Sequence, residues 1–184
     1  MPLFPPVLAQ PDPHLLRTLA AIPPHHQVLE LGCQAGVHSV PLRQLGFRLT
    51  ICEADPQALD QARKALEAPG HETSMVLHTA ALDTLLPPDT FDWIVSWQPV
   101  ARPEPWANWA RAARRVIKPG GWMYVAMPAA SLAASSAGRE GPAVLVSHLQ
   151  QAGWAVAEPP VLIELDERSL VRGIFRRVEA DTPL

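Results

Sequence analysis

Apolar residues recur at helical spacing through Pro13-His14-Leu15-Leu16-Arg17-Thr18-Leu19-Ala20-Ala21-Ile22 and stop at Pro23-Pro24, which predicts a short leading helix ended by residues that cannot continue one. From there strand and helix signals alternate. Strand-like runs at 27–31, 47–53, 74–78, 91–97 and 121–127 are separated by helical patterns near 36–45, 56–68 and 104–117 and by a short helical turn near 81–85. Such alternation predicts a parallel sheet with helices on both faces. The ending departs from it. After a small-residue loop from Pro128 to Gly141 and a helix near 142–152, the runs Trp154–Glu164 and Ser169–Val178 are joined only by Leu165-Asp166-Glu167-Arg168. A parallel crossover needs a dozen or more residues, so these two strands are expected to pair antiparallel.

The first strand leads into the most informative stretch, Val28-Leu29-Glu30-Leu31-Gly32-Cys33-Gln34-Ala35-Gly36. An acidic residue near a strand's carboxyl end, then glycines four apart, then a helix, is how open α/β sheets let backbone approach an adenosine-bearing ligand closely. The second strand closes on another acid, Glu53, in Ile51-Cys52-Glu53-Ala54-Asp55-Pro56. A carboxylate there can accept two hydrogen bonds from a ribose diol, and charge-assisted bonds are the stronger kind. Asp55 reads differently, as an N-cap with Pro56 at the first helical position.

Composition narrows the function. The 184 residues, 48% of them hydrophobic and 18% charged, suffice for one domain with a substantial core. A net charge of −3 argues against a strong nucleic-acid footprint, and Arg111, Arg114, Arg115 and Lys118, at helical spacing, read most simply as a solvated helix face. Cys33 and Cys52 lack CxxC spacing and fall in or beside strands, which points to free thiols in a reducing, cytoplasmic setting. No apolar run reaches the ~20 residues of a membrane-spanning helix. The histidines lack metal-ligand spacing, so no metal site is expected.

The order of these pieces, with Phe91-Asp92-Trp93-Ile94-Val95-Ser96 as the fourth strand and Arg114-Arg115-Val116-Ile117-Lys118-Pro119-Gly120-Gly121 before the fifth, resembles the class I S-adenosylmethionine-dependent methyltransferases. The resemblance covers nearly the whole chain. It implies an α/β, doubly wound, mostly parallel seven-stranded, Rossmann-like sheet with a C-terminal antiparallel hairpin. Residues 1–24 would form an N-terminal extension with a short helix, and 25–184 a single methyltransferase-like domain. The cofactor implied is S-adenosylmethionine, with Glu30, Gly32, Cys33, Gln34, Gly36, Glu53, Ala54, Ala80, Ala81 and Trp97 as the expected binding residues. The methyl acceptor, a small molecule or a macromolecule, is not named by the sequence, and a homo-oligomer remains open.

Three positions depart from the family pattern. Gln34 stands at the middle glycine of the turn, and Ala80 stands where an adenine-binding acid is usual, with Asp83 able to substitute only through a shift of the loop. Ser96-Trp97-Gln98-Pro99-Val100 keeps only one proline of the motif that clamps a planar amino group, which disfavours methylation of base amines. Trp97 is either a stacking face or core, and Trp97, Gln98, Pro99 and Arg102 are expected to border the acceptor site. His38, His78, Asp83 and Glu104 are the general-base candidates, although methyl transfer by in-line displacement can rely on positioning alone and no catalytic residue is assigned. The competing readings are a methyltransferase-like binding module with weakened or lost catalysis, for which Gln34 and Ala80 speak, and a dinucleotide oxidoreductase. The latter is disfavoured because the turn lacks GxGxxG spacing.

Overall fold

Four of the five residues of β1 (Gln27–Leu31) are buried, as a strand covered on both faces requires. In the computed structural model, which describes residues 10–53, 55–67, 75–78, 86–97, 106–132, 141–165 and 168–179, β1 pairs in parallel with β2 (Arg48–Glu53) and β4 (Phe91–Trp97). β3 (Met75–His78) extends the sheet beyond β2, and β5 (Ile117–Pro128) lies parallel beside β4. β7 (Arg168–Arg177) then pairs antiparallel with β5, and β6 (Trp154–Leu165) antiparallel with β7. The seven strands run in the order β3-β2-β1-β4-β5-β7-β6. Strand order reverses between β1 and β4, and in open α/β sheets ligands bind at such a reversal, outside the carboxyl ends of the strands.

The helices divide between the two faces because alternate strand residues point to opposite sides. Val28, Trp93, Val95 and Trp97 pack with Leu15 and Leu19 of α1 (Pro13–Ala20), Leu42 of α2 (Ser39–Gln44) and Leu59, Ala62 and Leu66 of α3 (Pro56–Leu66). Leu29, Leu31 and Ile94 pack on the other face with Ala110, Ala113 and Val116 of α4 (Trp106–Val116) and Leu145 and Leu149 of α5 (Gly141–Gln151). The leading helix thus contributes to the same core as the sheet. Its start is set by Asp12, which accepts from the His14 N–H at 2.8 Å, with Pro13 in the first turn; Asp55 caps α3 in the same way through the Gln57 N–H.

Two boundaries differ from the pattern. The helix expected from residue 36 begins only at Ser39, because Gly36 has φ +86° and a left-handed residue cannot belong to a right-handed helix. The fifth strand, expected from 121, begins at Ile117, with an irregular register against β4 between Phe91 and Trp93 that absorbs the Lys118–Gly121 segment. The helical turn expected near 81–85 lies outside the described residues. Of the 128–141 loop, Ala129–Ser131 form a single 3₁₀ turn.

Candidate active site at the carboxyl ends of β1 and β2

The glycine turn holds three left-handed residues in five: Gly32 (φ +74°), Gln34 (φ +50°) and Gly36 (φ +86°). Gln34 therefore keeps the backbone conformation that glycine would supply more cheaply, at a strain on the order of 1–2 kcal/mol. The turn is tied to the end of β2 by backbone as well as side chain. The Gly32 N–H donates to the Cys52 carbonyl at 2.9 Å, and the Gln34 N–H donates to Oε2 of Glu53 at 2.8 Å. Oε1 of Glu53 accepts from the Asp55 N–H at 3.1 Å. Gly36 is also a packing necessity, since a Cβ there would lie 3.2 Å from the Ala62 Cα of α3.

Glu30 sits beneath the turn with no exposed surface. The Ser39 hydroxyl donates to its Oε2 at 2.6 Å, which ties the first residue of α2 to β1, while Oε1 has no hydrogen-bond partner among the described residues. Burial, reinforced by the nearby Glu53 charge, pushes the Glu30 carboxyl up to about 8. Cys33 and Cys52 are buried free thiols. Burial and the neighbouring carboxylates push the Cys33 thiol well above its ordinary range, so it is a neutral thiol at neutral pH.

Beside the turn lies a buried polar cluster assembled from distant parts of the chain. The Asp12 N–H donates to Nε2 of His38 at 3.0 Å, the Tyr124 hydroxyl donates to the Asp12 carboxylate, and Nη1 of Arg172 lies 3.5 Å from both Asp12 oxygens. Trp97 fills the space between them, its ring centroid 4.6 Å from His38 and 6.5 Å from Tyr124. Because the His38 Nε2 lone pair is already engaged and burial pulls the imidazole down to about 4, this ring is neutral and has no free acceptor at that nitrogen. That geometry removes the basis for His38 as a general base. Trp97 likewise has no exposed surface, so it belongs to the core here rather than offering a stacking face. The Asp12-Pro13 pair signals a helix start in the sequence; its partners at 124 and 172 left no local signal at all.

The structure thus brings Glu30, Gly32, Cys33, Gln34, Gly36 and Glu53 together at the carboxyl ends of β1 and β2, with Trp97 buried at the end of neighbouring β4. His78 closes β3 opposite Glu53 in the ladder. Ala54, Ala80, Ala81, Asp83, Gln98, Pro99, Arg102 and Glu104 lie outside the described residues. Among the described residues, no group of three or more His, Cys, Asp or Glu side chains could hold a metal, and no helix is long and apolar enough to cross a membrane.

The arrangement suits an adenosine-bearing cofactor: a backbone turn without side chains at its two glycines, facing a carboxylate oriented by two N–H groups.

Comparison with known proteins agrees. Residues 28–121 match the sequence pattern of the family described as "Methyltransferase domain". A ubiquinone biosynthesis O-methyltransferase of Methylocella silvestris is 28% identical over 101 residues, which are 54% of this chain but only 39% of that enzyme. A crystal structure of an S-adenosylmethionine-dependent methyltransferase from Mesorhizobium loti superposes with a TM-score of 0.70 at 18% identity, covering 89% of this chain and 96% of that one. One from Methanosarcina mazei gives 0.71 at 16% identity, covering 92% and 99%. At these identities the structural likeness is one of fold, whereas the sequence pattern spans just over half of the chain and includes both the glycine turn and Glu53. The chain therefore belongs to the class I S-adenosylmethionine-dependent methyltransferase family.

Proposed function

We propose that this chain binds S-adenosylmethionine in the crevice at the carboxyl ends of β1 and β2 and transfers its methyl group to an acceptor held at the carboxyl ends of β4 and β5. The observation that carries this reading is the 2.8 Å bond from the left-handed Gln34 to Glu53, which fixes turn and acid as one unit. When bound, the cofactor supplies an electrophilic methyl group on a sulfonium, open to in-line displacement. Glu53 would accept from the ribose hydroxyls, and Gly32 and Gly36 would let the backbone approach the amino acid portion. Glu30 contributes from beneath by holding Ser39 and hence the start of α2. Cys33, kept as a neutral thiol by burial, does not compete with the acceptor for the methyl group. With His38 engaged by Asp12, acceleration rests on positioning rather than on that imidazole. We place the protein in the cytoplasm, where its two buried free thiols fit a reducing compartment.

Calorimetric titration with S-adenosylhomocysteine tests the reading. Glu53→Ala is expected to lose about 1.5–3 kcal/mol of binding free energy, the usual scale for a hydrogen bond to a charged group. Unchanged affinity in a folded variant would remove Glu53 from the site.

A further inference from the structure

The N–H groups at a helix start have no partner within the helix, and a Glu or Gln at the third helical position commonly reaches back to the N–H of the N-cap residue. In α1 that position is Leu15, which cannot accept. The N–H of the N-cap residue Asp12 goes instead to Nε2 of His38, 3.0 Å away and 26 residues on. His38 stands in the converse position. It is the N-cap residue of α2, where Ser, Thr, Asp and Asn are preferred because their side chains cap, yet its own side chain makes no capping bond. The imidazole serves the other helix.

The segment that leaves the glycine turn depends on such outside bonds. α2 has six residues, well short of the ~12–15 that an isolated helix needs in water. Its start is pinned from two sides, by the Ser39 hydroxyl on Glu30 of β1 at 2.6 Å and by His38 on Asp12. The Gly36 carbonyl accepts from the Val40 N–H at 3.2 Å, so the last residue of the turn and the first residues of α2 form one unit. Asp12 is a firm anchor for that unit. It is 2% exposed, and its carboxylate accepts from the Tyr124 hydroxyl of β5 and lies 3.5 Å from Nη1 of Arg172 on β7. Trp97 of β4 closes on the imidazole at 4.6 Å.

We infer that His38 is a positioning residue for the cofactor site: through the Asp12 N–H it fastens the start of α1 to the segment leaving the glycine turn, so that docking of α1 and binding of cofactor favour each other. The inference rests on the assignment of the glycine turn to S-adenosylmethionine. Coupling between two events is reciprocal, so the factor by which docked α1 tightens cofactor binding equals the factor by which cofactor tightens the docking of α1. His38 touches no reacting atom in this role.

The test uses the intact chain, with S-adenosylhomocysteine affinity measured by calorimetry and hydrogen exchange of the α1 amides read by mass spectrometry over residues 10–22. His38→Phe keeps a ring against Trp97 and removes the acceptor, whereas His38→Gln supplies a side-chain oxygen about as far from Cα as Nε2. The Phe variant is expected to bind S-adenosylhomocysteine at least fivefold more weakly, at the lower end of typical coupling, and the Gln variant within about twofold of the unmodified chain. Saturation with S-adenosylhomocysteine is expected to slow α1 exchange at least fivefold in the unmodified and Gln chains but not in the Phe variant. Should His38→Phe fail to fold, exchange in the unmodified chain decides. Undiminished affinity in His38→Phe, equal losses in both variants, or α1 exchange indifferent to bound S-adenosylhomocysteine would each overturn the role of His38 while leaving the cofactor assignment intact. An unmodified chain that binds no S-adenosylhomocysteine would overturn both.

Discussion

The two edges of the sheet gather different ionisable groups. At the carboxyl edge Asp12, Glu30 and Glu53 are all under 10% exposed, beside the buried His38 and Tyr124. At the amino edge the half-buried guanidinium groups of Arg114, Arg115 and Arg177 are held mostly by carbonyls. The topology explains the separation. α1, α2 and α3 start near the carboxyl edge and present their positive dipole ends there, while α4 and α5 end near the amino edge with their negative ends. The residues follow suit, since Asp12 and Asp55 cap helix starts, and Arg17, Arg43, Arg63, Arg114 and Arg115 all fall in last turns.

The largest test of this contrast is global stability. Asp12→Ala removes a helix cap and leaves Tyr124 and Arg172 without their buried partner, so urea denaturation is expected to show a loss of about 3–5 kcal/mol. Arg111→Glu on the exposed amino edge should change stability by no more than about 0.5 kcal/mol. Equal costs would mean that the carboxyl-edge cluster is no more integral to the fold than a surface charge.

The pH dependence of stability should come from the carboxyl edge, because arginine does not titrate in the accessible range. Burial lowers His38 to about 4, so its contribution is complete above its unfolded value near 6.5 and is lost as pH falls toward 4. Glu30 is raised to about 8, so its contribution is complete below its unfolded value near 4.5 and is lost as pH rises through 8. The two slopes oppose each other between about 4.5 and 6.5. Melting curves from pH 4 to 9 are expected to lose the acid-side contribution in His38→Gln and the alkaline-side contribution in Glu30→Gln, about 3 and about 5 kcal/mol respectively. Unchanged limbs in both variants would assign them to other groups.

A smaller effect separates the two glycines. Gly36→Ala meets the Ala62 backbone, which cannot give way, and is expected to cost about 1–2 kcal/mol of stability together with cofactor affinity. Gly153→Ala meets the Arg114 side chain instead, whose far end can give way, and should leave S-adenosylhomocysteine binding unchanged. Lost affinity in Gly153→Ala would show that the edges are coupled.

Periodicity along the chain determined the strands, their alternation with helices, and the antiparallel ending, because each is a local consequence of spacing and link length. The site was legible where it is also local: Gly32 and Gly36 are spaced by the turn they build, and Glu53 closes a strand next to it. The helix start at Ser39 was not, since it depends on the left-handed φ that Gly36 adopts. Nor was the fate of Trp97. The sequence left it between stacking face and core, and what decided was the approach of His38 and Tyr124 around it, side chains 59 residues before and 27 after. The arginines at 111, 114 and 115 read as a solvated helix face until Arg177, more than 60 residues on, completes their cleft. Local pattern fixes which faces are apolar and where the chain must turn. Which polar groups end up buried together depends on contacts between residues far apart in sequence, and those exist only once the sheet has closed in its final order.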